Sequence, residues 1–335
     1  MLPLRLGLCV PKGKATRMNL PDRILEACKK ANIKVVNIDV EKCIEAQGPF
    51  DFILHKILDH YNDKEVGVEK AEQKIDDFVE YTKNHPEIIV VDNLEFCWRL
   101  TNRKLMIDLI RKCTFTLKDI NVFLPKTLDV AEKYSFTNIK AEMNERYFQF
   151  PVVVKPYSAY FDNGAHLMSL VFNMDGLKKI KKPCLIQEFC NHSGKCYKVF
   201  VIGTRYHICE RPSIQNLNEK MSELRTNSNI VFNSFQVSKT GQQFHEELHG
   251  VNPNQRCWMT SDEKSDLLDS EIIEEIITRM HNISGLYLYG FDILVERETN
   301  NYALIDINQF PSYKDIDQSH FANDLVFLLK SLKNQ

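Results

Sequence analysis

Two apolar stretches, GFDILV (290–295) and ALIDIN (303–308), each place an aspartate where a buried strand calls for another hydrophobic residue. Alternate residues of a strand share a face, so Asp306 and Asn308 point one way while Ile305 and Ile307 point the other. The longer segments GLYLYGFDILVE and NNYALIDINQFP, joined at RETNN, read as an antiparallel pair that brings Asp292 to Asp306 and Asn308. Two bare carboxylates about 4 Å apart repel by roughly 4 kcal/mol at an effective dielectric of 20. A hard cation reverses that sign. Carboxylate and amide oxygens suit magnesium, which keeps its own waters and bridges to phosphates. The plainer alternative is a pair of aspartates capping turns.

Cations recur near other strand ends. Lys12, Lys14 and Arg17 follow LRLGLCV (4–10), at a place where a helix N-terminus could meet a phosphate. The segment is not a Walker A loop, because five residues separate Gly7 from Gly13 and Ala15 follows Lys14. His55 and Lys56 close the strand FDFILHKI, where ligands of open α/β sheets gather. Lys155 ends VVVKP, where a buried cation is costly unless an anion faces it. The SAYFDNGAH that follows contains the turn pair Asn163-Gly164, suited to covering phosphates with backbone N–H groups. Solvated basic turns are the alternative for each of these taken alone.

The elements that must position these groups alternate strand and helix at first. Strands are expected at 4–10, in IKVVNIDV, in FDFILHKI and in EIIVVD, with helices at 18–32 and 66–84. That is a small α/β layer with a largely parallel sheet. Two short helices follow at 93–113, and KTLDV leads towards another helix. FPVVVKP, CLIQEFC, KCYKVFVIGTRYHICERPS and NIVFNS are then strand-rich, with a hairpin turn at Gly203-Thr204. A helix is expected over 262–281, with a capping box at Thr260 and Glu263 and one face lined by Leu268, Ile272, Ile276 and Met280. A last helix carries Phe321, Leu325, Leu328 and Leu332.

The 335 residues allow two or three domains, and 44% hydrophobic with 26% charged residues is ordinary for a soluble globular chain. No apolar run reaches the roughly 18 residues of a membrane span. The formal net charge of −2 excludes bulk nucleic-acid binding, so an anionic ligand must be held by a local cluster of bases. Ten cysteines without a CxxC pair read as free thiols of a cytoplasmic protein; the even spacing of Cys184, Cys190 and Cys196 fits no zinc motif.

Taken together, GFDIL, ALIDIN-x-FP-x-Y, QEF-x-NH-x-G-K-x-YKVFVIG, RPS, FNS-x-x-VSK and the HK of the third expected strand resemble the inositol 1,3,4-trisphosphate 5/6-kinase family, also called the inositol-tetrakisphosphate 1-kinase family. The resemblance runs over roughly residues 4 to 330. It implies the ATP-grasp fold, an α/β (α+β) architecture with an N-terminal parallel-sheet domain and two sheet-containing domains that clamp ATP. The expected boundaries are 1–110, 111–190 and 191–335. It implies a monomer transferring phosphate from ATP to an inositol polyphosphate hydroxyl with magnesium. By resemblance, Asp292, Asp306 and Asn308 hold the metal. Arg103, Lys155, Gln187, Glu188, Lys198, Ser213, Ser234 and Ser238 hold ATP. Lys14, Lys56, His166, Lys198, Arg211, Asn308 and Ser312 face the inositol phosphate, and Lys198 and Asp306 carry catalysis. The chain departs from the family where a His-Gly-Thr-like turn is usual: it reads Tyr160-Phe161-Asp162. Two alternatives stay open: an ATP-grasp carboxylate–amine ligase, and an inositol phosphate-binding homologue with reduced kinase activity.

Overall fold

In the computed structural model, which describes residues 2–62, 68–159, 164–217, 228–240 and 268–334, the chain begins by alternating strands and helices. β1 (Leu4–Cys9), α1 (Lys12–Met18), α2 (Leu20–Lys30), β2 (Ile33–Asn37), β3 (Phe52–His55), α3 (Val68–Asn84) and β4 (Ile89–Val91) form the first unit. Its sheet, ordered β2-β1-β3-β4, is parallel throughout. Helical crossovers make parallel pairing possible, and they bury β3 completely, which is why FILH contains no alternation.

The remaining elements are α4 (Leu94–Arg99), α5 (Arg103–Lys112), β5 (Phe115–Leu117), β6 (Ile120–Phe123), β7 (Thr127–Val130), α6 (Phe136–Glu145), β8 (Val152–Pro156), β9 (Leu167–Val171), β10 (Cys184–Glu188), β11 (Lys195–Ile202), β12 (Arg205–Pro212), β13 (Asn229–Asn233), α7 (Ser234–Thr240), α8 (Ser270–Ser284), β14 (Leu288–Val295), β15 (Tyr302–Gln309) and α9 (Gln318–Lys333). They build a five-stranded sheet, β13-β9-β8-β10-β7, and a six-stranded sheet, β12-β11-β14-β15-β6-β5. The sheets cut across the expected boundary at 190. Residues 115–123 pair into the last sheet through β15, and 229–233 return to the middle one through β9.

The six-stranded sheet divides its two faces by strand alternation. Val199, Phe291, Leu304 and Ile307 join Met106 and Ile110 of α5 and Ile272, Ile276 and Met280 of α8 in one core. Phe200, Ile202, Leu288 and Phe310 pack with Phe321, Leu325 and Leu329 of α9 and with the β1–α2 side of the first sheet. The expectation that Ile305 shares a face with Ile307 does not hold. Asp292 pairs with Asp306 but Ile293 pairs with Leu304, so Ile305 is the extra residue of a bulge and lies half-buried beside Cys190 and Leu294. A bulge leaves one residue out of the ladder and re-aims its neighbours.

α8 is also shorter at its start than the expected 262–281. It begins at Ser270, capped by the Asp269 carboxylate, which accepts the Glu271 and Ile272 N–H groups. The capping box expected at Thr260 and Glu263 lies outside the described residues. Asn93 and Asn102 likewise cap α4 and α5. No helix among the described residues is long and apolar enough to cross a membrane.

Candidate active site

Three neighbouring strands set a row of charges across the six-stranded sheet. Lys198 on β11 pairs in register with Asp292 on β14, and Asp292 with Asp306 on β15. Like charges directly opposite on antiparallel strands are unfavourable, so the Asp292–Asp306 pair needs positive charge close by. Lys198 supplies it: its ammonium donates to Asp292 at 2.9 Å and also contacts the Asn308 side-chain oxygen. Asn308 in turn donates its amide to Asp306 at 2.9 Å. Gly290, opposite Asn308, makes room for this. A Cβ there would lie 3.1 Å from the Val199 carbonyl, 3.4 Å from Pro311 and 3.5 Å from the Lys198 side chain.

Lys155 approaches the row from the middle sheet. Its ammonium donates to Gln187 Oε1 at 2.7 Å and to the Ile305 carbonyl, which the bulge has released, at 3.2 Å. Gln187 is fixed by donating to Thr127 Oγ1 at 2.9 Å. Burial pushes the Lys155 pKa down to about 8, while the carboxylates of Asp306 and Asp292 oppose that shift. Its direct partners are neutral oxygens, so the ammonium's charge is balanced by the carboxylates of Asp306 and Asp292 without a direct bond to either.

The other expected nucleotide residues are each tied into their own surroundings. Glu188 accepts the Gln149 N–H at 2.7 Å and lies 3.4 Å from Lys126, while its own N–H donates to the Lys126 carbonyl. Ser213 is tied by its hydroxyl to buried His192, whose other ring nitrogen meets the Cys190 carbonyl. Ser234 and Ser238 sit on α7, where the Ser234 N–H donates to the His166 carbonyl and the Ser238 hydroxyl to the Phe235 carbonyl. Arg103 is buried, and its guanidinium donates to the carbonyls of Pro156, Ser158 and Ala165. That places it as a brace for both stems of the segment after β8. The Tyr160-Phe161-Asp162 departure itself lies outside the described residues.

On the opposite side, α1 and the end of β3 bring Lys14 and Lys56 to the same acid. Asp59 lies 3.2 Å from Lys14 and 3.9 Å from Lys56. Burial lowers the pKa of both lysines, and Asp59 partly restores it. Lys56 also donates to the Phe310 carbonyl at 2.8 Å, which ties the first sheet to the end of β15. A second tie comes from buried Asp92, whose carboxylate accepts the Tyr287 N–H at 2.7 Å and the Leu288 N–H at 2.8 Å at the start of β14. Burial raises the Asp92 pKa to about 7 against these two donors. Arg211 on β12 contacts Asp315. His166 is exposed and lies beside the Phe235 ring, 5.7 Å between centroids.

No group of three His, Cys, Asp or Glu side chains able to hold a metal occurs among the described residues. The candidate donor set is instead two carboxylates and an amide. Its fit to a cation is visible in Lys198, whose single positive charge is shared by Asp292 and Asn308 while Asp306 is bonded to the same amide. Oxygens converging on one positive charge are what a hard divalent ion requires.

The structure thus gathers Lys155, Gln187, Lys198, Asp292, Asp306 and Asn308 into direct or one-step contact, with Lys14 and Lys56 joined through Asp59. Gly290, Thr127, Asp59 and Asp92 were not among the sequence-derived candidates. A glycine inside a strand signals close approach, so Gly290 carried a readable mark. An acid three residues beyond Lys56 was a weaker one.

A family model described as the inositol 1,3,4-trisphosphate 5/6-kinase ATP-grasp domain matches residues 116–330, and the pre-ATP-grasp domain of the same description matches residues 5–96. The inositol-tetrakisphosphate 1-kinase of Danio rerio is 31% identical over 328 residues, covering 98% of this chain and 78% of that protein. The protein of the same name from Xenopus laevis is 31% identical over 326 residues, covering 96% and 77%. Among solved structures, a peptide-associated ATP-grasp ligase of Chryseobacterium gregarium superposes with a TM-score of 0.61 at 12% identity, covering 98% of this chain and 97% of that one. D-alanine–D-alanine ligase of Bacillus anthracis gives 0.59 at 11% identity, covering 99% of each chain. At such identities these two establish the ATP-grasp fold and no more.

Proposed function

The chain belongs to the inositol 1,3,4-trisphosphate 5/6-kinase family and is an inositol phosphate kinase, and we propose that it moves the γ-phosphoryl group of ATP to a hydroxyl of an inositol tris- or tetrakisphosphate. The observation that carries this reading is the Lys198–Asp292–Asp306 row, with Lys155 reaching it from the middle sheet and Lys14 and Lys56 gathered on Asp59. Phosphoryl transfer relies on positioning and charge neutralisation, so a site rich in cations around two carboxylates suits it. Magnesium held by Asp292, Asp306 and Asn308 would neutralise charge on the nucleotide phosphates. Lys155 would counter the ATP tail, and Gln187 would hold that ammonium in place. Lys198, released from Asp292 and Asn308, would face the transferred group. Lys14, Lys56, Arg211 and His166 would receive the substrate phosphates, with Ser312 supplying donors from the loop after β15. Ser213, Ser234, Ser238 and Glu188 would border the nucleotide, and Arg103 would act by bracing the segment after β8. The nine described cysteines are all free thiols, which supports a cytosolic home.

A carboxylate–amine ligase would use a similar metal clamp but has no need of paired cations on the acceptor side. Purified protein with magnesium and labelled ATP, assayed across a panel of inositol tris- and tetrakisphosphates, tests the reading. Label appearing in an inositol polyphosphate supports it. No transfer to any member of the panel would overturn it.

A further inference from the structure

The turn that follows β15, Phe310-Pro311-Ser312-Tyr313, carries two bulky residues in the left-handed region, Phe310 at φ 36° and Tyr313 at φ 51°. Aromatic residues adopt that conformation only where surrounding contacts over-determine it. Both rings are buried: Tyr313 packs against Phe310, Phe200 and Phe321, and its hydroxyl donates to the Val201 carbonyl at 2.8 Å. The backbone carbonyls of the turn are then taken from outside it. Lys56 holds Phe310 O. Arg23, buried on α2, donates one guanidinium nitrogen to Ser312 O at 3.0 Å and the other to Tyr313 O at 2.8 Å. Its guanidinium also lies over the Phe321 ring, 4.6 Å from the centroid.

The consequence concerns Ser312. With its carbonyl drawn towards Arg23, the half-buried Ser312 keeps an N–H and a hydroxyl that bond to no protein group among the described residues. The same turn abuts the charge row, since Pro311 and Lys198 both border the space above Gly290, opposite Asn308. Two donors without protein partners, held next to the acceptor side of a phosphoryl-transfer site, suit a phosphate or hydroxyl of a polyanionic sugar.

We propose that Arg23 is a positioning residue that holds the Pro311–Ser312 turn so that Ser312 donates to the inositol polyphosphate. This rests on the kinase reading above and deepens it. The fork is essential to the role, because only a planar guanidinium reaches two successive carbonyls at once. A lysine retains the charge but satisfies one of them.

The test is steady-state kinetics on Arg23→Lys, Arg23→Met, Ser312→Ala and the Arg23→Lys/Ser312→Ala double variant, with circular dichroism and thermal melting as controls for folding. Arg23→Lys should raise KM for the inositol polyphosphate about threefold to tenfold, and Arg23→Met should raise it further, while KM for ATP stays within twofold. Ser312→Ala should give a similar rise, and the double variant should be no worse than the poorer single one, as for residues acting in one chain of contacts. A rise in both KM values together, or fully additive effects, would overturn the proposal and assign Arg23 to stability alone. If Arg23→Met does not fold, the Arg23→Lys and Ser312→Ala pair decides. Absence of transfer by the wild-type protein would instead overturn the kinase reading, and this proposal with it.

Discussion

The two sides of the proposed site are built by different means. On the side proposed for the nucleotide, the functional groups sit on regular strands, and register alone aligns Lys198, Asp292 and Asp306 across β11, β14 and β15. Lys155 and Gln187 are likewise strand residues, on β8 and β10, with Leu185 the direct partner of Lys155. On the side proposed for the inositol phosphate, the groups come from helix starts, strand ends and a turn with two left-handed aromatics, and contacts between segments hold them: Lys14 to Asp59, Lys56 to Phe310, Arg23 to Ser312 and Tyr313. A strand side can change one residue and keep its frame. The other side depends on contacts between separate segments, those of Lys56 and Arg23 joining residues more than two hundred positions apart, so a single change should spread.

Variants on the two sides should therefore fail differently. Lys155→Met should leave the fold intact and lower kcat/KM for ATP by about 100-fold or more, the scale of removing a preorganised charge from a transferring group. Steady-state kinetics with the inositol phosphate saturating checks this. A loss below tenfold would remove Lys155 from the nucleotide side. Asp59→Asn should act first on stability, because it leaves buried Lys56 and nearby Lys14 without their shared acid. Unfolding in urea should show a loss of about 3 kcal/mol, as for one partner removed from a buried pair. An unchanged midpoint would show that the two cations need no shared acid.

The smallest effect is a pH dependence. Asp92 has its pKa raised from 3.8 to about 7 by burial, so the folded state holds a proton there that the unfolded state releases. Its contribution to stability is complete below pH 3.8 and is lost as pH rises through about 7, with no further change above. Thermal melts between pH 5 and 8 should show the wild-type midpoint falling over the lower part of that range. Asp92→Asn, though less stable overall for want of a second acceptor for the Tyr287 and Leu288 N–H groups, should lose that slope. The same slope in the variant would place the titrating group elsewhere.

How far this was legible in the sequence follows the same division. GFDILV and ALIDIN disclosed the grouping of Asp292, Asp306 and Asn308 because a strand puts a local pattern on one face, and Lys155 stood out as a cation ending an apolar run. The bulge at Ile305 was not visible, since two possible registers leave the same apolar pattern, yet it frees the carbonyl that Lys155 uses. The first sheet was readable from alternating periodicities. The partnership of β6 with β15 was not, because parallel pairing over that distance leaves no local signal. Arg23 was not among the sequence-derived candidates, because a single charge on a helix carries no local mark, and only the packing of α2 against α9 turns it towards Ser312. Arg103, matched by resemblance to a nucleotide contact, is bonded here to three backbone carbonyls, a role that no motif specifies.

The central claim is that Asp292, Asp306 and Asn308 form a cation clamp for phosphoryl transfer. The most direct measurement is a manganese titration followed by electron paramagnetic resonance, with ADP present, on wild type and Asp306→Ala, paired with transfer rates on the same samples. The account predicts that the variant stays folded, binds manganese at least tenfold more weakly and loses transfer by about 1,000-fold, comparable to losing a principal electrostatic stabiliser. Manganese affinity and transfer both within a few-fold of wild type would contradict it.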